Sequence, residues 1–410
     1  MIVNRKELHQ WRLKTEPRDW QTAALHKWLA AHRGVASVVT GGGKTIFAFL
    51  CMDAFNREHP DGRYIIVVPT ITLLDQWYIS LQEDFGVAET DIACFSGQEK
   101  AAKPATVNLL VINTGRKMVR KLSQGYPCFL IVDECHRAGS PENAKALQGS
   151  FAASLGLSAT PEREYDQGFQ QHVVPVLGPV VFEYDYVRAF DDQVITPFDL
   201  INVKIDFLPH EQDEYDKLTR RAAVLFKKAR TDPEVENKLK YVLQRRAGVS
   251  AQARMRVPVA AKIADERRGM RTIIFHERVS SANTLYAILK KRNHSVCVYH
   301  SQIAPNWRRD NLRLFRQGVF DVLVSCRALD EGMNVPETTV AVIASSTASQ
   351  RQRIQRLGRV LRPARGKTKS TVYTLFATEQ ERARLTGEAN KLEGVADILW
   401  ATGTREERHG

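Results

Sequence analysis

VVTGGGKT, residues 38–45, joins a short apolar run to a helix-forming stretch, and its reading decides the fold. Val35–Val39 is a strand candidate, and Thr45–Phe55 carries the helical pattern that follows it. Successive glycines let backbone N–H groups turn toward an anion, and the helix N-terminus adds its dipole, so the segment reads as a phosphate cradle. In such a cradle Gly41, Gly42 and Gly43 shape the loop and Lys44 reaches the outer phosphates. The Thr45 hydroxyl would ligate magnesium. The strict spacing has glycine where this chain has Val38, so a flexible glycine turn before an ordinary helix is the competing reading.

Working outward, the apolar run CFLIV at 128–132 ends in DECH at 133–136. That places Asp133 and Glu134 at the C-terminal edge of a strand, where ligands bind in open α/β sheets. Asp133 suits a place in the shell of a magnesium ion, and Glu134 suits orienting and deprotonating an attacking water. A solvated acidic turn is the bland alternative, but lying downstream of GKT the pair supplies the second half of a nucleoside-triphosphate hydrolysis site.

Strand candidates at Tyr64–Val68, Asp91–Phe95, Asn108–Ile112, Phe129–Val132 and Leu155–Ser158 read as continuous apolar runs, as strands buried on both faces do. Helical stretches such as Trp20–Ala31 and Leu73–Phe85 separate them, which is a βαβ pattern and hence a doubly wound parallel sheet. The second half repeats the logic. Strands are expected at Arg271–Phe275, Val296–Tyr299, Val322–Ser325, Val340–Ala344 and Thr371–Phe376, and helices at Val279–Lys291 and Trp307–Gln317. Between the halves, Glu211–Thr231 and Pro233–Arg246 read as helices, with Pro233 in a favourable first turn. The end of the chain reads as a helix from about Glu379 that frays into the polar TREERHG.

At 410 residues the chain exceeds one typical core and suits two domains. Its longest apolar runs have strand length, so no transmembrane segment is expected. The start, MIVNRKELHQW, has charges where a signal peptide needs its apolar segment. Cytoplasmic residence is the expectation, with nucleoid association in a prokaryotic or phage setting. Six scattered cysteines with no CxxC pair argue against a structural zinc or a disulfide framework. The net charge of +13 suits a polyanionic partner. Most of it is local, because residues 217–256 hold twelve Lys/Arg against three acids.

These motifs and their order resemble a superfamily 2 helicase of the DEAD/DEAH type, most closely the XPB-like and type I/III restriction-helicase branch. VVPTITLLDQW at 67–77 is similar to motif Ia, IVDECH at 131–136 to motif II, and GLSATPERE at 156–164 to motif III. IIFHE at 273–277 resembles motif IV, VSCRALDEGMNVP at 324–336 motif V, and QRQRIQRLGRVLR at 350–362 motif VI. The resemblance implies an α/β architecture of two RecA-like parallel-sheet domains in tandem, with a basic, thumb-like helical insertion between them. The implied divisions are an ATP-binding domain over 1–200, the basic linker over 201–262, a second domain over 263–385 and a tail over 386–410.

Site roles follow from the same resemblance. Gln21 matches the glutamine that reads adenine, which implies ATP, with Mg2+, as the nucleotide. His136, Ser158 and Thr160 match residues that couple hydrolysis to domain movement. Thr70, Thr114 and Ser325 match contacts to nucleic acid. Arg359 and Arg362 match paired arginine fingers, Gln355 supports the γ-phosphate, and Glu331, Gly332 and Asn334 belong to the motif that senses nucleotide and track. The family pattern has Asp where Asn334 sits, and Arg-Glu-Asp where this chain reads Arg163-Glu164-Tyr165. Nor is a long N-terminal extension for damage recognition expected.

The implied function is an ATP-dependent DNA helicase or translocase, 3′→5′ by resemblance. The basic insertion, with Lys227, Lys228, Arg245 and Arg246 among its cations, would grip duplex or forked DNA through phosphates. Its aromatics are sparse (Tyr215, Phe226, Tyr241), which argues against a base-stacking platform. Competing readings are a motor subunit for a partner nuclease in repair, restriction or phage defence, an RNA helicase, and a non-motor ATP switch. No membrane partner is expected.

Overall fold

The computed structural model describes residues 11–39, 41–158, 167–192, 198–228, 232–326, 338–345, 369–389, 396–402 and 405–407. The chain divides into two compact units between residues 195 and 196. The first holds strands β1 (Arg33–Val38), β2 (Arg63–Val68), β3 (Ile92–Phe95), β4 (Val107–Val111), β5 (Cys128–Asp133), β6 (Ala153–Ser158) and β7 (Val180–Tyr184). They form one parallel sheet in the order β3-β4-β2-β5-β6-β1-β7. Helices α1 (Asp19–Leu29), α2 (Lys44–Glu58), α3 (Ile71–Glu83) and α4 (Ile112–Leu122) accompany it.

Strands β4, β5 and β6 are buried along their whole length, because both sheet faces are covered. On one face Ile65, Val67, Leu130 and Val132 pack with Leu147, Phe169 and Leu177. The other carries an aromatic layer, with Trp28 5.2 Å from Phe129 and Phe49 stacked on Phe85 at 4.8 Å. The Trp28 indole N–H donates to the Ser154 carbonyl at 2.9 Å, so this large buried ring leaves no polar group unmet. The strand order sets the ends of β1, β6 and β5 side by side along one edge.

The second unit holds β8 (Phe198–Lys204), β9 (Thr272–His276), β10 (Val296–Tyr299), β11 (Val322–Cys326), β12 (Val340–Ile343), β13 (Ser370–Phe376), β14 (Ala396–Thr402) and β15 (Arg405–Glu407). Their order is β10-β11-β9-β12-β13-β8-β14-β15, parallel except for the β14/β15 pair. Its helices are α5 (Pro209–Lys228), α6 (Pro233–Ala251), α7 (Arg256–Glu266), α8 (Val279–Lys291), α9 (Pro305–Arg316) and α10 (Glu379–Ala389). Ile274, Val324, Val342 and Leu375 build its core with Ala260 and Ile263 of α7 and Leu285 and Leu289 of α8. Arg256, at the start of α7, is fully buried and fastens this unit. It donates to the carbonyls of Ser250, Ala344 and Leu375, each at 2.8 Å, and to both Glu381 oxygens at 2.8 and 3.1 Å.

The expected strands and helices lie within a few residues of those observed. Four strands were not legible. β8 spans the end of the segment read as the first domain and the start of the linker, yet it pairs with β13 from Phe198↔Ser370 to Lys204↔Phe376. Residues 396–402, read as part of a fraying tail, form β14 in register with β8. Among the described residues, no helix is long and apolar enough to cross a membrane.

Candidate active site

The loop after β1 is shaped by its glycines. Gly41 and Gly43 have φ of 94° and 103°, a left-handed region that side chains with a Cβ rarely adopt. A Cβ on Gly43 would also stand 2.6 Å from the Gln21 amide nitrogen, and one on Gly42 would stand 2.6 Å from a Val38 methyl. Gly43 is the N-cap of α2, so Lys44 and Thr45 occupy its first turn.

Helix α1 braces this loop from behind. The Arg18 guanidinium and the Trp20 indole N–H both donate to the Gly42 carbonyl, at 3.0 and 3.1 Å. The Gln21 amide donates to the Gly43 carbonyl at 3.0 Å, while its oxygen accepts from the Arg18 backbone N–H at 2.8 Å. Trp20 itself stacks on Tyr184 at 5.1 Å. Burial lowers the Arg18 pKa from its ordinary value. Arg18 and Trp20 were not singled out in the sequence, although they closely precede Gln21 within PRDWQ.

Lys44 Nζ donates to the Val38 carbonyl at 3.1 Å and lies 3.8 Å from Glu134 Oε1. The cradle and the end of β5 therefore converge on one part-buried cation. Asp133 accepts from the Trp77 indole N–H at 2.9 Å on one oxygen and from the Glu134 backbone N–H at 2.9 Å on the other. Burial raises the Asp133 pKa, as does the Glu134 carboxylate beside it, against the lowering effect of Lys44 and the two N–H donors. Trp77 was quoted within motif Ia but not recognised as the partner of Asp133, since two residues this far apart in sequence meet only through the adjacency of β2 and β5.

Glu134 has φ 50°, in the left-handed region. Its second carboxylate oxygen lies 3.5 Å from His136 Nδ1, and that nitrogen is 3.0 Å from the Ser158 hydroxyl. Lys44, Glu134, His136 and Ser158 thus run as a continuous polar chain from the loop to the end of β6. Thr160 lies outside the described residues, as do Gly332, Asn334, Gln355, Arg359 and Arg362.

The donor set fits a nucleotide with a hard cation. Gly42 and Gly43 leave no room for a Cβ against Val38 and Gln21, so the loop stays a bare backbone, and Thr45 and Asp133 offer oxygen ligands. No cluster of three His, Cys, Asp or Glu side chains able to hold a metal is found among the described residues.

The residues read as nucleic-acid contacts divide. Thr70 and Thr114 follow the neighbouring strands β2 and β4, with Thr70 capping α3 through its hydroxyl, which accepts from the Leu73 N–H at 3.3 Å. Ser325 is buried within β11. Lys227 and Lys228 close α5. Arg245 pairs with Glu214 at 2.9 Å, and Arg246 donates to the Gln380 amide oxygen at 2.9 Å.

Two family models match the chain: "Type III restriction enzyme, res subunit" over residues 14–163 and "Helicase conserved C-terminal domain" over 255–364. The chain is 27% identical over 369 residues to a DNA 3′-5′ translocase XPB2 of Sulfurisphaera tokodaii, covering 85% of this chain and 79% of that protein. It is 26% identical to a putative DNA 3′-5′ helicase Rad25 of Haloarcula marismortui, covering 91% of this chain but only 54% of the relative. Among solved structures, S. cerevisiae Dbp5 bound to RNA and ADP BeF3 aligns with TM-score 0.66 at 16% identity, over 95% of this chain and 90% of that one, a likeness of fold.

Proposed function

We propose that the chain is a superfamily 2 ATP-driven DNA translocase or helicase of the XPB-like kind, moving 3′→5′ on duplex or forked DNA. The observation that carries this reading is the convergence of Lys44 and Glu134 at 3.8 Å beneath a glycine loop. Lys44 neutralises phosphate charge in the cradle while Glu134 takes the proton of the attacking water. Gln21, already fixed against Gly43, sets the adenine end. When bound, Mg2+ would supply further neutralisation of phosphate charge, held by Thr45 and Asp133. The polar chain through His136 and Ser158 links the Glu134 carboxylate to the end of β6 and, with Thr160, forms the coupling element. The resemblance assigns Arg359 and Arg362 to transition-state charge, Gln355 to the γ-phosphate, and Gly332 and Asn334 to nucleotide sensing. Thr70, Thr114, Ser325 and the basic hairpin of α5 and α6 serve the DNA track.

The match to the type III restriction Res family favours a second reading, in which the same motor serves a partner nuclease or a repair or defence protein. The two readings are compatible. The test is steady-state ATPase with single-stranded, duplex and forked DNA and with RNA, beside Lys44→Ala and Glu134→Gln. DNA stimulation lost in both variants is expected. Turnover indifferent to every nucleic acid would sink the stand-alone motor.

A further inference from the structure

The hairpin of α5 and α6 is held together by Leu218 and Ala222 against Leu239 and Val242. Along one flank it leaves a groove of about 580 Å³ whose walls include Tyr241, Gln244, Arg245, Gln252 and Arg254. Tyr241 is 62% exposed there, although a tyrosine ring left in water forfeits the burial that such side chains usually find. Helical spacing sets Lys238 and Arg245 three and four residues to either side of Tyr241, on the same face.

The acids of this groove are already engaged. Glu214 pairs with Arg245 at 2.9 Å, and Glu211 accepts from the backbone N–H groups of Leu208 and Arg254 at 2.9 and 3.0 Å. Lys217, Arg221, Lys238 and Arg254, by contrast, form no ion pair among the described residues. Arg254 lines the groove, while Lys217 and Arg221, one and two turns along α5 from Glu214, and Lys238, one turn before Tyr241 on α6, extend positive charge along the hairpin from it. The exposed ring stands beside these cations, with the planar amides of Gln244 and Gln252 next to it. Charge alone would suit the phosphates of an intact duplex. The ring adds nothing to such a contact, because paired bases keep their faces stacked within the helix.

We propose that this groove holds an unpaired nucleotide of the DNA, with Tyr241 stacked on the base and Lys217, Arg221, Lys238 and Arg254 on the flanking phosphates. A single ring makes one stacking position rather than a platform. It gives the hairpin a preference for single-stranded or forked DNA that phosphate contacts cannot supply. The inference rests on the DNA-motor reading and deepens it.

The experiment is fluorescence anisotropy of the full chain with labelled single-stranded, blunt duplex and forked oligonucleotides, comparing wild type with Tyr241→Ala and Tyr241→Phe. Stacking on one base predicts a loss of about 5- to 150-fold for Tyr241→Ala on single-stranded and forked DNA. Duplex affinity should stay within about two-fold, and Tyr241→Phe should retain wild-type binding because the ring is kept. An unchanged unfolding midpoint shows that the exposed ring is dispensable for folding. An equal loss on duplex, or unchanged affinities on all three, overturns the proposal. So does a labelled oligoglutamate peptide that binds and depends on Lys238 while Tyr241→Ala leaves DNA binding intact, which would make the groove a peptide site. Wild-type ATPase separates the two claims: no stimulation by DNA defeats the motor, whereas stimulation with unchanged Tyr241→Ala affinities defeats only the groove.

Discussion

Replacing Trp77 by Phe removes one of the two N–H donors that hold the buried Asp133 carboxylate, leaving only the Glu134 backbone N–H. Hydrogen bonds to a charged group contribute about 1.5–3 kcal/mol, roughly a 10- to 150-fold change in any equilibrium that requires Asp133 ionised and correctly aimed. The sign is fixed by the surroundings. Burial and Glu134 already raise the Asp133 pKa, and losing the indole N–H raises it further, so less of the metal-binding carboxylate form is present at a given pH. Loss of a group that orients a ligand commonly weakens metal binding about 10- to 100-fold, which agrees with that range. The assay is a Mg2+ titration of DNA-stimulated ATPase at saturating ATP. The half-saturating Mg2+ concentration should rise about 10- to 100-fold in Trp77→Phe, more steeply at lower pH, with turnover recovering at high Mg2+. Phe49→Leu is the control, since the Phe49 ring packs edge-on against Trp77 at 5.7 Å and takes no part in the hydrogen bond. It should lower the unfolding midpoint and leave the Mg2+ requirement alone. If Trp77→Phe behaves like Phe49→Leu, Asp133 does not hold the cation.

Arg256→Met should destabilise the second unit by about 3–5 kcal/mol, because it removes the guanidinium from the part-buried Glu381 carboxylate and from the carbonyls of Ser250, Ala344 and Leu375. Urea unfolding measures this, and a loss under about 1 kcal/mol would refute the role given to Arg256. His276, buried at the end of β9, has its pKa lowered to about 4 by burial and then by Arg256 and Arg278. The unfolded chain thus takes up that proton first as the pH falls. The stabilisation is complete above about pH 6.5 and is lost toward pH 4, by about 2 kcal/mol between pH 6.5 and 5. His276→Gln should flatten the pH dependence of unfolding in that window, and an unaltered slope would exclude His276 as its source.

What could be read from the sequence follows the physics of each element. Strands such as β4 and β5, buried on both faces, are unbroken apolar runs and announce themselves. β8 and β14 do not, because FDLINVK and ADILWAT mix polar with apolar residues and β14 is half exposed. The Lys44, Asp133 and Glu134 cluster was legible because its chemistry is written in contiguous motifs. Trp77 and Trp20 were not, since each acts through one indole N–H on a group that only the strand order or the α1 packing brings near. Tyr241 was counted among sparse aromatics, and its exposure depends on which flank of the hairpin it faces.

The turn at Asp133–Cys135 shows how local strain and core packing together set the geometry proposed for catalysis. A non-glycine residue in the left-handed region costs about 1–2 kcal/mol, and Glu134 adopts it at φ 50°. Three contacts fix that conformation. The Glu134 N–H is held by the Asp133 carboxylate at 2.9 Å, the Glu134 carbonyl accepts from the Arg137 N–H at 2.9 Å, and Cys135 is fully buried. Gly156 makes room for Cys135, since a Cβ there would stand 3.1 Å from the Cys135 sulfur. Burial raises the Cys135 thiol pKa, so the thiol stays neutral and serves as an apolar anchor beside two carboxylates. The turn sends Asp133 toward Trp77, Glu134 toward Lys44 and Cys135 into the core, three directions from three consecutive residues. A regular strand continuation would have alternated them between two faces and left Glu134 aimed away from the cradle. Glu134→Gln is the appropriate control for this reason: the amide keeps the length and shape that the strained backbone aims, and removes the carboxylate's charge together with its capacity to take a proton.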